Sequence, residues 1–349
     1  MRFESSLVEG EYLRDILAQP RALADTVSGL CGSAGLAEVA AEAAQGRFER
    51  IVLTGMGASY HALHPLHIQL VEHGFNAVAF ETAELIHYFP TVLTPRTLLV
   101  AVSQSGRSVE ILRLLDLTAR RVPTIAVTNT PGSDLATRAD LTVPTRAGTE
   151  SSVSCKTFVA TLVALEWLGA ALRGEDRRQV ESTLREAAPA AEHYLATWQA
   201  KVSSLVDLLN GVRAVFLTGR GASLAAAGTG GLILKESAHF HAEGTTCSAF
   251  RHGPFEMIGR DVLVLVFAGD LKTAALNENL VRDVRDAGGK ACLVGPQSGV
   301  DAFRIPVAAP PIRPVLEMLP VQLMSLALAA LAGIEPGKFE RLTKVTMIE

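Results

Sequence analysis

The feature that most constrains this chain is a phrase it carries twice: LTGMGAS at Leu53 to Ser59 returns as LTGRGAS at Leu217 to Ser223. Each copy follows an apolar run, Arg50-Ile51-Val52 or Ala214-Val215-Phe216, and precedes a helix-compatible stretch. Each therefore reads as strand, glycine turn and helix N-terminus, and the chain reads as a tandem duplication. At the same offset, TLLVAVSQSG (Thr97 to Gly106) falls opposite DVLVLVFAGD (Asp261 to Asp270). There the copies disagree. The first ends its strand in Ser103, Gln104 and Ser105, the second in Phe267, Ala268 and Gly269. One half keeps a polar loop suited to an anion, so the other must contribute something else.

From Arg50 onward, continuous Val, Leu and Ile runs alternate with amphipathic helical stretches, the pattern of a parallel sheet covered on both faces. The expected fold class is α/β, with two tandem doubly wound parallel-sheet domains. In the first unit, strands are expected at Ile51 to Thr54, Ala77 to Phe80, Leu98 to Val102, Thr124 to Val127 and Leu141 to Val143, closed by a helix at Lys156 to Leu172. The second repeats the order at Ala214 to Thr218, Val262 to Phe267, Ala291 to Val294 and Arg304 to Val307, with a closing helix at Val315 to Ala332. A polar stretch, Arg173 to Gln179, leads into one helix over about Val180 to Asn210. The expected domains are a helical arm over 1–45, a first domain over 46–175, a linker over 176–200, a second domain over 201–333 and a tail over 334–349.

Composition removes several classes. The net charge of −4 and the lack of any basic run argue against a nucleic-acid partner. Four cysteines without CxxC spacing fit a reducing compartment, and the acidic start MRFESSLVEGEYLRD is unlike a secretory leader, so a cytoplasmic location is expected. Val315 to Ala332 is interrupted by Glu317, Pro320, Gln322 and Ser325, which makes a buried helix the better reading than a membrane span.

SQSGRS, Ser103 to Ser108, sits at the carboxyl end of a buried strand just before a helix, where open α/β sheets bind ligands. Free amides, serine hydroxyls and Gln104 offer a phosphomonoester several donors, and the helix dipole favours its charge. The plainer alternative is a single N-cap serine. A second serine cluster, TESSVSCKTF at Thr149 to Phe158, precedes the closing helix and points to Ser154 as a further contact. For the GxG turns, a tight strand-to-helix turn competes with a phosphate role for Ser59. Tyr60 and Leu224 replace the third glycine of a dinucleotide fingerprint, although Glu81 stands where a ribose-binding acid would. Between Leu234 and Ile258, Lys235, Glu236, His239, His241, Glu243, Arg251 and His252 crowd what reads as a loop, with Glu and His as the proton-moving pair. A structural salt bridge is the alternative for Glu236. His61, His64 and His67 spread over more than one helical face with no completing ligand, so packing is expected and no metal.

With SQSG after a strand, KES followed by HAE and RHGP, and a terminal KVTMIE, the chain resembles the tandem sugar-isomerase (SIS) domain family, as in the isomerase half of glucosamine-6-phosphate synthases. The resemblance runs from about Arg14 to Glu349. It implies two flavodoxin-like domains and a hexose 6-phosphate ligand held by Ser59, Ser103, Gln104, Ser105, Ser108 and Ser154. It also implies that Glu236 shuttles a proton between C1 and C2, that His252 opens the ring from a neighbouring subunit, and that Lys344 forms an imine. A homodimer with a shared site follows, with no metal or redox cofactor. Two departures stand out: Ile233 replaces a lysine of the synthases, and a protein without their glutamine-hydrolysing domain is expected. The expected reaction is glucosamine 6-phosphate to fructose 6-phosphate plus ammonia, or its reverse. The alternatives are a glutamine-fructose-6-phosphate transaminase-like isomerase, a fructosamine-phosphate deglycase and a non-catalytic sugar-phosphate sensor.

Overall fold

The computed structural model describes residues 5–31, 35–341 and 343–344. The chain divides into two compact units. The first comprises Arg21–Thr149, Lys156–Glu186 and Arg341–Glu349; the second comprises Met1–Pro20, Glu150–Cys155 and Ala187–Glu340. The arm expected over 1–45 and the linker expected over 176–200 are thus each shared between the units.

The first unit holds strands β1 (Arg50–Gly55), β2 (Ala77–Glu81), β3 (Thr97–Val102), β4 (Thr124–Thr128) and β5 (Leu141–Pro144). They form one parallel sheet in the order β2-β1-β3-β4-β5, with Ile51 paired to Ala77 on one side and Leu98 on the other. This order reverses direction between β1 and β3, so the crevice beyond the ends of those two strands is where such a sheet receives a ligand. β3 is buried at every position, as a central strand covered on both faces must be. Val52, Leu99, Ala101 and Ala126 turn to one face, where Leu85, Ile111, Leu114 and Leu135 cover them. The helix Lys156–Leu172 is apolar all round and buried accordingly. Its one acid, Glu166, is paired with the buried guanidinium of Arg173 at 2.9 Å and accepts from Gln69 Nε2 at 2.7 Å. Arg173 is therefore a core partner of the helix.

The second unit repeats the plan with β6 (Ala214–Gly219), β7 (Ala242–Thr246), β8 (Val262–Phe267) and β9 (Lys290–Val294), parallel in the order β7-β6-β8-β9. Three sequence expectations change here. The segment from Ala242 to Arg251 is a strand followed by a short helix, Cys247–Arg251, and not a loop. Conversely, Arg304 to Val307 is irregular. Pro306 has no N–H to give a ladder, and the Arg304 N–H turns back to the Asp301 carbonyl. The single long helix expected between Val180 and Asn210 is three helices, Arg177–Arg185, Ala187–Leu195 and Trp198–Leu209.

β7 lies against the helix Leu224–Ala238 with almost no separation. A Cβ on Gly244 would overlap the Ala227 carbonyl, so only glycine permits the approach. The closing helix, Arg313–Ala332, is buried through nearly its whole length and ends at Gly333 in the left-handed conformation. It is the one helix among the described residues long and apolar enough to cross a membrane, and it lies inside its unit instead. Its polar interruptions have partners there: Gln322 and Gln19 exchange amide hydrogen bonds of 2.8 and 3.1 Å, and Ser325 Oγ lies 3.2 Å from the Tyr12 hydroxyl.

Candidate active site

At the first sheet's reversal point, the ends of β1 and β3 enclose a recess of about 130 Å³. Ser59, Ser103, Gln104, Ser105, Ser108 and Lys344 line it, with Met56, Val102 and Ile111 as apolar wall. That volume is well below the ~300 Å³ at which pockets begin to enclose whole ligands. It suits the head of a molecule, such as a phosphate group, with the remainder projecting out.

The local backbone explains how the hydroxyls come to face this space. Ser59 sits at the start of the short helix Ala58–His61 that follows the turn through Gly57. Ser103 is nearly buried and its Oγ accepts from the Gly106 N–H at 3.1 Å, closing the loop on itself. The Ser105 Oγ accepts from the Arg107 N–H at 3.3 Å. The Gln104 carbonyl is held by Thr128 Oγ1, Thr130 Oγ1 and the Asn129 N–H, each at 3.2 Å, which fixes the loop from behind. Gly106 adopts φ 62°, and a Cβ there would overlap the Ser133 hydroxyl, so the turn depends on glycine. Ser108 occupies the N-cap of the helix Val109–Thr118 with extended backbone, yet its side chain makes no capping bond. The plain-cap alternative therefore fails for Ser108, whose hydroxyl lines the recess instead. The helix start adds its positive dipole end to the same space.

Lys344 is among the lining residues. Sequence pattern singled it out only through resemblance, because no local periodicity distinguishes a lysine in a polar tail. The apolar wall of Met56, Val102 and Ile111 had no signal of its own, being ordinary core residue types.

The other expected site residues lie in the second unit. Ser154 is half-buried in the Glu150–Cys155 segment and is not among the residues lining the recess. The start of the neighbouring helix already has an internal acceptor, since Glu150 Oε1 takes the Cys155 N–H at 2.9 Å. Ser152 Oγ meanwhile donates to the Gly337 carbonyl at 2.6 Å. Glu236 is half-buried on the last turn of the helix Leu224–Ala238, and Ile233 one turn earlier is wholly buried in the core. His252 is exposed just after the helix Cys247–Arg251.

The histidine triplet has packing partners. His67 Nε2 lies 3.1 Å from the Ala77 carbonyl, and burial pushes the His64 pKa down. The His61 and His64 rings stack with centroids 6.2 Å apart. Glu81 is exposed at the start of the helix Thr82–Tyr88 and does not line the recess.

The geometry agrees with what the chain is similar to. The family model described as the SIS domain matches twice, over residues 47–171 and 208–332. The glutamine–fructose-6-phosphate aminotransferase (isomerizing) of Pyrococcus horikoshii is 31% identical over 97% of this chain and 57% of its own length. That of Gloeobacter violaceus is 30% identical over 100% of this chain and 61% of its own. The chain thus spans a little over half the length of these relatives. Among solved structures, the C-terminal domain of glucosamine-fructose-6-phosphate aminotransferase from Francisella tularensis superposes with a TM-score of 0.84 at 21% identity, covering 96% of this chain and 100% of that one. Glucosamine-6-phosphate deaminase from Thermotoga maritima gives 0.79 at 19%, covering 97% and 100%. With the four strands of the second sheet ordered like the first four of the first, and both copies matched by one family model, the chain belongs to the SIS-domain family as a tandem pair.

Proposed function

We propose that this protein is a phosphosugar isomerase of the deaminating kind, converting glucosamine 6-phosphate and water to fructose 6-phosphate and ammonia, or running the reverse. The observation that carries the reading is the recess of four serine hydroxyls, Gln104 and Lys344 at the reversal point of the first sheet. Such a set of donors with an ammonium, at a helix start, is matched to a phosphate dianion. The names of its relatives support the same substrate class, since they act on fructose 6-phosphate or glucosamine 6-phosphate.

In this reading the phosphate is anchored by Ser59, Ser103, Gln104, Ser105 and Ser108, and the sugar extends outward. His252 opens the ring, contributed by a second copy of the chain in a homodimer, which its exposure permits. Glu236 takes the proton from C2 and returns it to C1, so the carbon bearing nitrogen is oxidised as its neighbour is reduced and no outside oxidant is needed. Water then adds to the C2 imine and ammonia leaves. Lys344 forms an imine with the ketose carbonyl in the reverse direction, which makes the adjacent C–H more acidic.

A coupled assay for ammonia and ketose tests the reading. Wild-type protein should release both from glucosamine 6-phosphate, and Glu236→Gln should lose turnover by at least a hundredfold while still binding the phosphate ester. Full activity in that variant would remove Glu236 from the mechanism. One observation favours a sensor as the second reading: Ile233, where the synthases carry lysine, is core. Saturable binding of hexose 6-phosphates without any turnover would decide for it.

A further inference from the structure

The second sheet has a reversal point of its own, between β6 and β8, and it is not empty space. At the offset that relates the two copies, Ser59 corresponds to Ser223 and Ser105 to Gly269. In the first copy these positions face the recess. In the second, Ser223 faces a carboxyl group of the same chain: Ser223 Oγ donates to Glu317 Oε1 at 2.8 Å, and Gly269 lies beside Ser223, its Cβ position 3.6 Å from the same hydroxyl oxygen. Glu317 projects from the closing helix and is 1% exposed; Ser223 is 2% exposed. Around them, Arg220 is tied to Asn277 and Ser248, and Asn277 Nδ2 donates to the Ala268 carbonyl at 3.0 Å, which braces the segments that follow β6 and β8.

We infer that Glu317 is a built-in ligand: its carboxyl occupies, in the second copy, the anion seat that the first copy leaves open. The seat is closed to sugar phosphate, and the contact ties the turn after β6 to the closing helix without any bound molecule. Glu317 Oε2 is buried with no hydrogen-bond partner, a desolvation cost that the seat tolerates in exchange for the Ser223 contact. The charged groups facing it are Arg313 on its own helix and Asp270 at the end of β8, of opposite sign.

Chemical rescue tests this directly and reads folding rather than turnover, so it stands apart from the reaction proposed above. Glu317→Ala vacates the seat, and formate is a carboxylate small enough to refill it. At pH 8 and matched ionic strength, sodium formate should raise the Tm of Glu317→Ala by several degrees over sodium chloride, as any ligand of the folded state does. It should leave wild type and the Ser223→Ala/Glu317→Ala double variant unmoved. No formate-specific shift in folded Glu317→Ala, or an equal shift in the double variant, overturns the inference. If Glu317→Ala does not fold, Ser223→Ala decides it, because loss of that donor should raise the Glu317 pKa measured by carboxyl carbon NMR. An unchanged titration overturns it.

Discussion

Buried polar side chains in this fold carry costs and roles that can be separated residue by residue. Burial of Glu317 pushes its pKa from the usual carboxylate value up to about 7, against the opposing pull of Ser223 and Arg313. A raised folded-state pKa means that the folded chain holds a proton the unfolded chain has released, so stability falls as pH rises from about 4.5 to about 7. Above that window the cost is fully present, on the order of 3 kcal/mol. Glu317→Gln should therefore flatten this part of the stability profile and be relatively more stable than wild type at pH 8 than at pH 5. Urea unfolding at the two pH values measures it. Ser108 and Ser133 make a second comparison. Ser133 Oγ caps its helix by accepting from the Ala136 N–H, whereas Ser108 makes no such bond. Ser133→Ala should cost about 1 kcal/mol of stability and leave phosphate-ester affinity unchanged. Ser108→Ala should do the opposite, with little loss of stability and binding weakened several-fold, as titration calorimetry with fructose 6-phosphate would show.

At the scale of elements, the helix Leu224–Ala238 is held to β7 by the absence of a side chain at Gly244. Because an added methyl meets the Ala227 backbone and not a flexible tip, Gly244→Ala should cost about 2 kcal/mol or more, read as a fall in Tm. That element also shows where the sequence was readable and where it was not. β3 and the helix Lys156–Leu172 were legible because full burial writes an unbroken apolar run. β7 was not, because AEGTT is a half-buried edge strand whose composition looks like a turn. Arg304 to Val307 erred the other way: Ile305 is buried and the run looks like a strand, but Pro306 denies it a ladder. In the site, SQSGRS was legible because its donors are contiguous. The Ser223–Glu317 contact was not, since its two halves lie far apart in the chain and neither is unusual alone.

At the scale of the whole molecule, duplication supplied two sheets that share the order of their first four strands, with two reversal points, and divergence gave them different contents. The first is lined with hydroxyls, Gln104 and Lys344; the second is filled from within by Glu317. Two copies of a binding fold need not mean two binding sites. The stoichiometry of fructose 6-phosphate binding, measured by titration calorimetry on wild type and on Ser105→Ala/Ser108→Ala, tests this most directly. The account predicts one site per chain, weakened at least tenfold in the double variant. Two sites per chain, or binding indifferent to those serines, would contradict it.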